Sequence, residues 1–327
     1  MRFGTLLERG YAVVPVLAVP AFVTARLPGR RLLVTAVLLG FWPVVLNEVP
    51  GLGVSAWSAR MWLGLCGVLA ILLVLSAEGG WRRLGEAWAH LEEMIPASPA
   101  RSVLIERWMA RLLTRRAQYA CAVPVAAGVV VLLHLVRPAL APDVPVGPMS
   151  YVMVAWVGFL GGNVVYWLCA MGALPRRLRR CGPVRLLRHD PAMTPGLVAM
   201  ADGYLYVAGT MGMGVLVTEV LALMLPNRSD SSLLSGVVFW FPILAGAIAL
   251  WAAIQPFFPI YQIARTTWRQ TLRELSPEVE NRDPVTTELY YHVRGVSLLP
   301  INTSTIVQYC AAILGVLGGF AIPKLLA

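Results

Sequence analysis

Seven stretches of this chain are apolar for long enough to cross the roughly 30 Å of hydrocarbon in a bilayer. They lie near 32–48, 61–77, 119–137, 151–173, 203–225, 234–254 and 302–321. Backbone in hydrocarbon must satisfy its own polar groups, so each stretch is expected as an α-helix. Composition leaves a soluble globule no room. Of 327 residues, 58% are hydrophobic and only 13% charged, about half the roughly 25% that covers a soluble domain. The expected fold class is therefore all-α: one polytopic membrane domain over 1–327, built of three helix hairpins and a final span.

The basic residues orient it. With the N-terminus in the cytoplasm, 23 of the 27 Lys and Arg residues fall inside. Arg60, Arg137, Arg228 and Lys324 fall outside. Cytoplasmic loops carry the excess of positive charge, so the N-terminus is expected inside, the C-terminus outside and the location at the cell membrane. The segment 11–25, YAVVPVLAVPAFVTA, carries Pro15 and Pro20 and is expected as an interfacial or re-entrant helix. A cleaved signal and a full span are the alternatives; Arg26, Arg30 and Arg31 directly after it oppose translocation.

Between the hairpins lie three segments expected as cytoplasmic helices, 79–118, 174–202 and 255–301. In the first, Trp81, Leu84, Trp88, Leu91 and Ile95 recur at steps of three and four, one apolar stripe on a helix. Phe257, Tyr261, Ala264, Trp268 and Leu275 form a second. Such stripes must bury against something, and a small helical layer beneath the membrane is expected. Ser98-Pro99, Asp190-Pro191 and Asp283-Pro284 recur at spacings of 92 and 93 residues. Each pair reads as an N-cap followed by a proline at the first helical position, hence a helix start. A tandem repeat and three similar helix starts both account for the spacing.

The run at 174–191 holds Arg176, Arg177, Arg179 and Arg180, then Arg185 and Arg188. It follows a span directly and lacks the interleaved aromatics of a nucleic-acid surface. It therefore reads as a topology signal whose contacts are anionic lipid head groups, and no nucleic-acid partner is expected.

Motifs for catalysis or cofactors are missing. The four histidines are not paired at HxxxH or HExxH spacing, no GxSxG occurs, and Lys324 is the single lysine, which excludes a P-loop. The five cysteines show no CxxC spacing, so no metal site and no cofactor are expected. Polar groups inside the spans are more informative. Glu219 lies about 9 Å from the outer end of its helix, where an acid must face the bundle interior or water. Asn163, Gln308, His134 and Asp202 are the further candidates for a polar path between helices. Gly158 and Gly162, Gly214 with Thr210 and Thr218, and Gly315 and Gly319 recur every fourth residue and are expected as close-packing faces. The glycines of the fifth span and Pro242 in the sixth suggest helices broken at mid-membrane, where transporter sites form.

Two functions compete. One is a transporter or channel for ions or small solutes, using the intramembrane polar residues. The other is a membrane-embedded sensor or effector subunit, homo-oligomeric or bound through its cytoplasmic helices to a soluble partner. Seven spans with an inner N-terminus and helices extended into the cytoplasm resemble the topology of insect chemoreceptor-type ion channels. That resemblance of topology, without a shared motif, implies a channel.

Overall fold

The computed structural model describes residues 31–49, 57–95, 107–108, 110–112, 114–139, 146–180, 184–223, 232–280 and 284–300, with 307, 309, 310 and 314. The segment 11–25, the Ser98-Pro99 pair and nearly all of the stretch 302–321 lie outside the described residues.

Among the described residues the α-helices with defined bounds are, in chain order, α1 (Arg31–Leu46), α2 (Trp57–Met94), α3 (Arg115–Val136), α4 (Pro148–Arg180), α5 (Pro195–Leu223), α6 (Ser232–Ile254), α7 (Phe257–Glu280) and α8 (Pro284–Gly295). A short 3-10 turn, Arg137–Ala139, ends α3. Among the described residues there is no strand. Among the described residues, four helices are long and apolar enough to cross a membrane: Ala59–Ala77 within α2, Arg116–Val136 within α3, Pro148–Arg180, and Pro195–Leu221 within α5. Shorter apolar stretches occupy α1 (Ala36–Leu46) and α6 (Phe239–Trp251).

Consecutive helices pair as hairpins, α1 with α2, α3 with α4 and α5 with α6, and α2 lies along α5 at the centre. The α3–α4 pair is antiparallel, with Ala122 against Gly162 and Ala126 against Gly158. A Cβ at Gly162 would stand 2.6 Å from the Cα of Ala122, and one at Gly158 would enter Val129. A larger residue at either position would hold the two backbones apart. The α2–α5 crossing uses Gly79 and Gly80 likewise: the Tyr206 ring fills the space of the first missing Cβ, and Val207 Cγ2 lies 2.7 Å from the second. The guanidinium of Arg83 covers the same ring at 4.4 Å.

The largest buried cluster runs from Ala36 of α1, Ala70 and Val74 of α2 and Leu160 of α4 to the arginine-rich end of the bundle. It joins Ala87, Trp88, Leu91 and Met94 of α2 and Trp167, Met171, Leu174 and Leu178 of α4. Leu197, Met200, Ala201 and Tyr204 of α5 and Phe257, Ile260, Ile263 and Ala264 of α7 complete it. The stripe that holds Trp88 and Leu91 is thus part of α2 itself, which continues without a break from its apolar stretch to Met94. By contrast α3 touches little besides α4 and exposes Tyr119, Val123, Val125, Val131 and Leu135.

Two sequence expectations are corrected. Asp190-Pro191 does not start a helix. Asp190 closes a turn, its Oδ1 accepting the N–H of Met193 at 3.2 Å. α5 begins four residues later, where Thr194 precedes Pro195 and its carbonyl accepts the N–H groups of Leu197 and Val198. The Thr194 hydroxyl donates to Pro191 O at 2.9 Å and accepts from Leu187 N at 3.1 Å. The N-cap and proline signal was present twice within five residues, and the second pair captured the helix. Pro284 does open α8, but Asp283 lies outside the described residues, and the even spacing of helix starts is lost. Second, Pro242 does not break the sixth apolar stretch, nor do the glycines break the fifth. Both α5 and α6 are continuous, and the interruption falls at Gln255 and Pro256, between α6 and α7.

Candidate functional site

The polar residues singled out within the apolar stretches are spread over several depths. Glu219, near the C-terminal end of α5, is half-buried. Its Oε1 is buried and without a hydrogen-bond partner. Met153 and Val157 of α4 share a buried cluster with Val217 and Leu221 of α5, joined through Leu63, Cys66 and Leu69 of α2. Asn163 sits six residues past Val157, about 9 Å further along the axis. It is fully buried; its Nδ2 donates to Phe159 O at 2.9 Å, one turn back, and its Oδ1 is unpartnered. His134, near the end of α3, is exposed and lies 3.4 Å from the Tyr151 hydroxyl through Nδ1. Asp202 is exposed on the first turns of α5. Among the described residues no hydrogen bond or ion pair joins any two of these four. Gln308, Gly315 and Gly319 lie outside the described residues.

The threonines of α5 serve their own helix. Thr210 donates to Tyr206 O and Val207 O, and Thr218 to Val215 O at 2.7 Å. Gly214, between them, lets Leu69 of α2 approach to ordinary contact, 3.6 Å from where a Cβ would stand. Arg176, Arg177, Arg179 and Arg180 are exposed around the buried Leu178 at the end of α4. Among the described residues no group of three His, Cys, Asp or Glu side chains lies close enough to hold a metal ion.

Most of the side-chain hydrogen bonds that cross between helices come from aromatic donors, which sequence reasoning missed; Gln255 Nε2, at the α6–α7 turn, also donates to Gly172 O of α4 at 3.4 Å. Trp156 Nε1 of α4 donates to Leu39 O of α1 at 2.6 Å. Tyr204 Oη of α5 donates to Met171 O of α4 at 2.6 Å, and Tyr206 Oη to Leu75 O of α2 at 3.2 Å. Tyr166 Oη reaches Leu112 O at 2.7 Å, and the Tyr309 hydroxyl donates to Ala208 O of α5. Two of these acceptors are carbonyls that a proline one turn later leaves free, since Pro43 has no N–H for Leu39 O and Pro175 none for Met171 O; Leu75 O and Ala208 O offer a second lone pair across the interface. The signal was available: a tyrosine or tryptophan inside an apolar stretch carries a polar atom that needs a partner when buried.

Two further buried polar groups also went unforeseen. Gln118, the fourth residue of α3, is fully buried with both amide atoms unpartnered, and Ser76 Oγ of α2 is in the same state. Neither a protein-family model, nor a curated protein, nor a solved structure matches this chain.

Proposed function

We propose that the chain is a multi-pass protein of the cell membrane that carries ions or small solutes. In this reading there are seven spans, the N-terminus is cytoplasmic, and the arginine-rich helical layer faces the cytoplasm. The observation that carries it is Glu219. A carboxyl group within a span costs about 3 kcal/mol on insertion scales, and here one of its oxygens is buried without a partner. A passing cation, proton or hydrated solute would supply the missing interaction. Asn163 Oδ1 and Ser76 Oγ, also unpartnered, extend the polar surface toward the other end.

The test is flux. Purified protein in liposomes should pass a cation, proton or small solute down an imposed gradient, and Glu219→Gln should abolish most of that flux while leaving the protein folded. Silence under every gradient and voltage tried would sink the proposal.

A second reading is favoured by a different observation. The largest buried cluster runs to the arginine-rich end, and beyond it Arg265, Arg269 and Arg273 of α7 are exposed at four-residue spacing. That suits an effector subunit docking an acidic soluble partner. Flux that is absent while the α7 arginines are needed for activity in the cell would favour it.

A further inference from the structure

A proline inside a helix leaves the carbonyl four residues before it without its N–H. Pro43 of α1 frees Leu39 O, and Pro175 of α4 frees Met171 O. Each of these carbonyls accepts from an aromatic donor on a neighbouring helix, Trp156 and Tyr204, at 2.6 Å. Within α3, Pro124 frees Ala120 O in the same way. There no donor from another helix arrives among the described residues. The setting differs as well: Pro43, Pro175 and Pro242 are buried, whereas Pro124 and Ala120 are exposed.

Arg116 and Arg137 bound the apolar part of α3, about 31 Å apart at 1.5 Å per residue, the thickness of hydrocarbon. The Ala120 carbonyl, directed toward Pro124, opens about 8 Å inside that interval. Prolines are tolerated in spanning helices where a neighbour replaces the lost bond. On this face of α3 the single chain supplies no such neighbour, since only α4 among the described helices packs closely against α3.

A matching donor stands beside the acceptor. Tyr119 is exposed, its ring tilted against Phe159 of α4 with centroids 6.0 Å apart. Its hydroxyl makes no hydrogen bond among the described residues. The hydroxyls of Tyr166, Tyr204, Tyr206 and Tyr309 each reach a main-chain carbonyl. Tyr119 and Ala120 thus present an unused donor and an unused acceptor at one depth, unjoined within the chain. A two-fold axis normal to the bilayer sets equal depths of two copies against each other and makes every contact reciprocal. Each Tyr119 hydroxyl then meets the Ala120 carbonyl of the other copy. The face also has the spacing of a helix–helix seam. Ala120, Val123, Ala127, Val130 and His134 recur at steps of three and four, and none of them is buried. The two alanines allow a close approach, and Val131 lies to one side.

We propose that this face of α3 joins two copies of the chain in the membrane, through reciprocal hydrogen bonds from Tyr119 Oη to Ala120 O. The inference rests on α3 crossing the membrane and is independent of transport.

The experiment uses the full chain, labelled at its C-terminus with a donor or an acceptor dye and reconstituted in phosphatidylcholine liposomes over a range of protein densities. Wild type should show energy transfer above random proximity that falls as protein is diluted in lipid. Tyr119→Phe keeps the ring, removes the donor, and should weaken association about eight-fold, from two bonds of the strength usual in membrane bundles. Pro124→Ala returns to Ala120 O the N–H of its own helix and should weaken association as much. Both variants break the same two bonds, so the double variant should fall no further than either alone. Ala127→Trp, exposed in the single chain, should abolish transfer, and Leu244→Ala, exposed on α6, should match wild type. Transfer absent at every density would mean that lipid or another part of this chain covers the face, and would overturn the proposal. So would full association of Tyr119→Phe or Pro124→Ala, or additive losses in the double variant. An interface broken by Leu244→Ala and kept by Ala127→Trp would overturn it as well.

Discussion

Tyrosine and tryptophan hydroxyl and indole groups are the cross-links of this bundle. Each donates to a main-chain carbonyl of another helix, so each fixes depth as well as contact. Removing the donor while keeping the ring separates the two roles. Trp156→Phe and Tyr204→Phe should each lower stability by about 0.6 kcal/mol, and by no more than roughly 1.7, the range for such bonds in membrane bundles. Reversible unfolding in mixed detergent measures it. No measurable loss would mean that the rings, not the bonds, hold the helices. Glu219 belongs to the same scale but has the opposite character. Among the described residues nothing satisfies its buried oxygen, and Glu219→Gln tests it by flux and not by stability.

Helix starts show how local signals compete. Thr194 is buried and makes two side-chain hydrogen bonds while its carbonyl opens α5. Asp190 contributes one bond at a half-exposed turn. Thr194→Ala should therefore cost about 1–2 kcal/mol and Asp190→Ala distinctly less, which a pair of thermal unfolding curves would resolve. Equal losses would restore Asp190 as the helix start. The apolar stretches were legible because hydrocarbon leaves a chain few options: the described helices cover the expected stretches from 32–48 through 234–254, whether or not each crosses the membrane. The stripe through Trp88 and Leu91 was legible for the same periodic reason. The breaks were not. A proline inside a helix such as Pro242 is tolerated when neighbours re-satisfy the freed carbonyl, so Pro242 and Pro256 look alike until packing distinguishes them. The pairing of polar side chains was also hidden, because depth along each helix depends on crossing register, which residues such as Gly79 and Gly162 set only in contact with their partners.

At the level of the whole molecule, packing is uneven. Leu91, Leu174 and Leu178 are completely or almost completely buried at the arginine-rich end, whereas Val131 of α3 is 56% exposed. Leu91→Ala and Leu178→Ala should each cost about 2–5 kcal/mol, and Val131→Ala less than about 0.5. Thermal melts of the three variants would show it; comparable losses would mean that Val131 has a partner the single chain does not supply.

α2 runs 38 residues without interruption, from Trp57 to Met94, a rod of about 57 Å. At one end Arg60 pairs with Glu48 at 3.2 Å; at the other, Met94 O accepts the N–H of Arg185 at 2.7 Å. The Tyr206 ring seated on Gly79 places a fulcrum between them. The inner arm, fifteen residues past that point, is about 22 Å long. A tilt of roughly 10° about the fulcrum would sweep its tip through about 4 Å. Motion at one end of α2 would thus reach the loop after α4 at the other with no change in the helix itself, as in a lever.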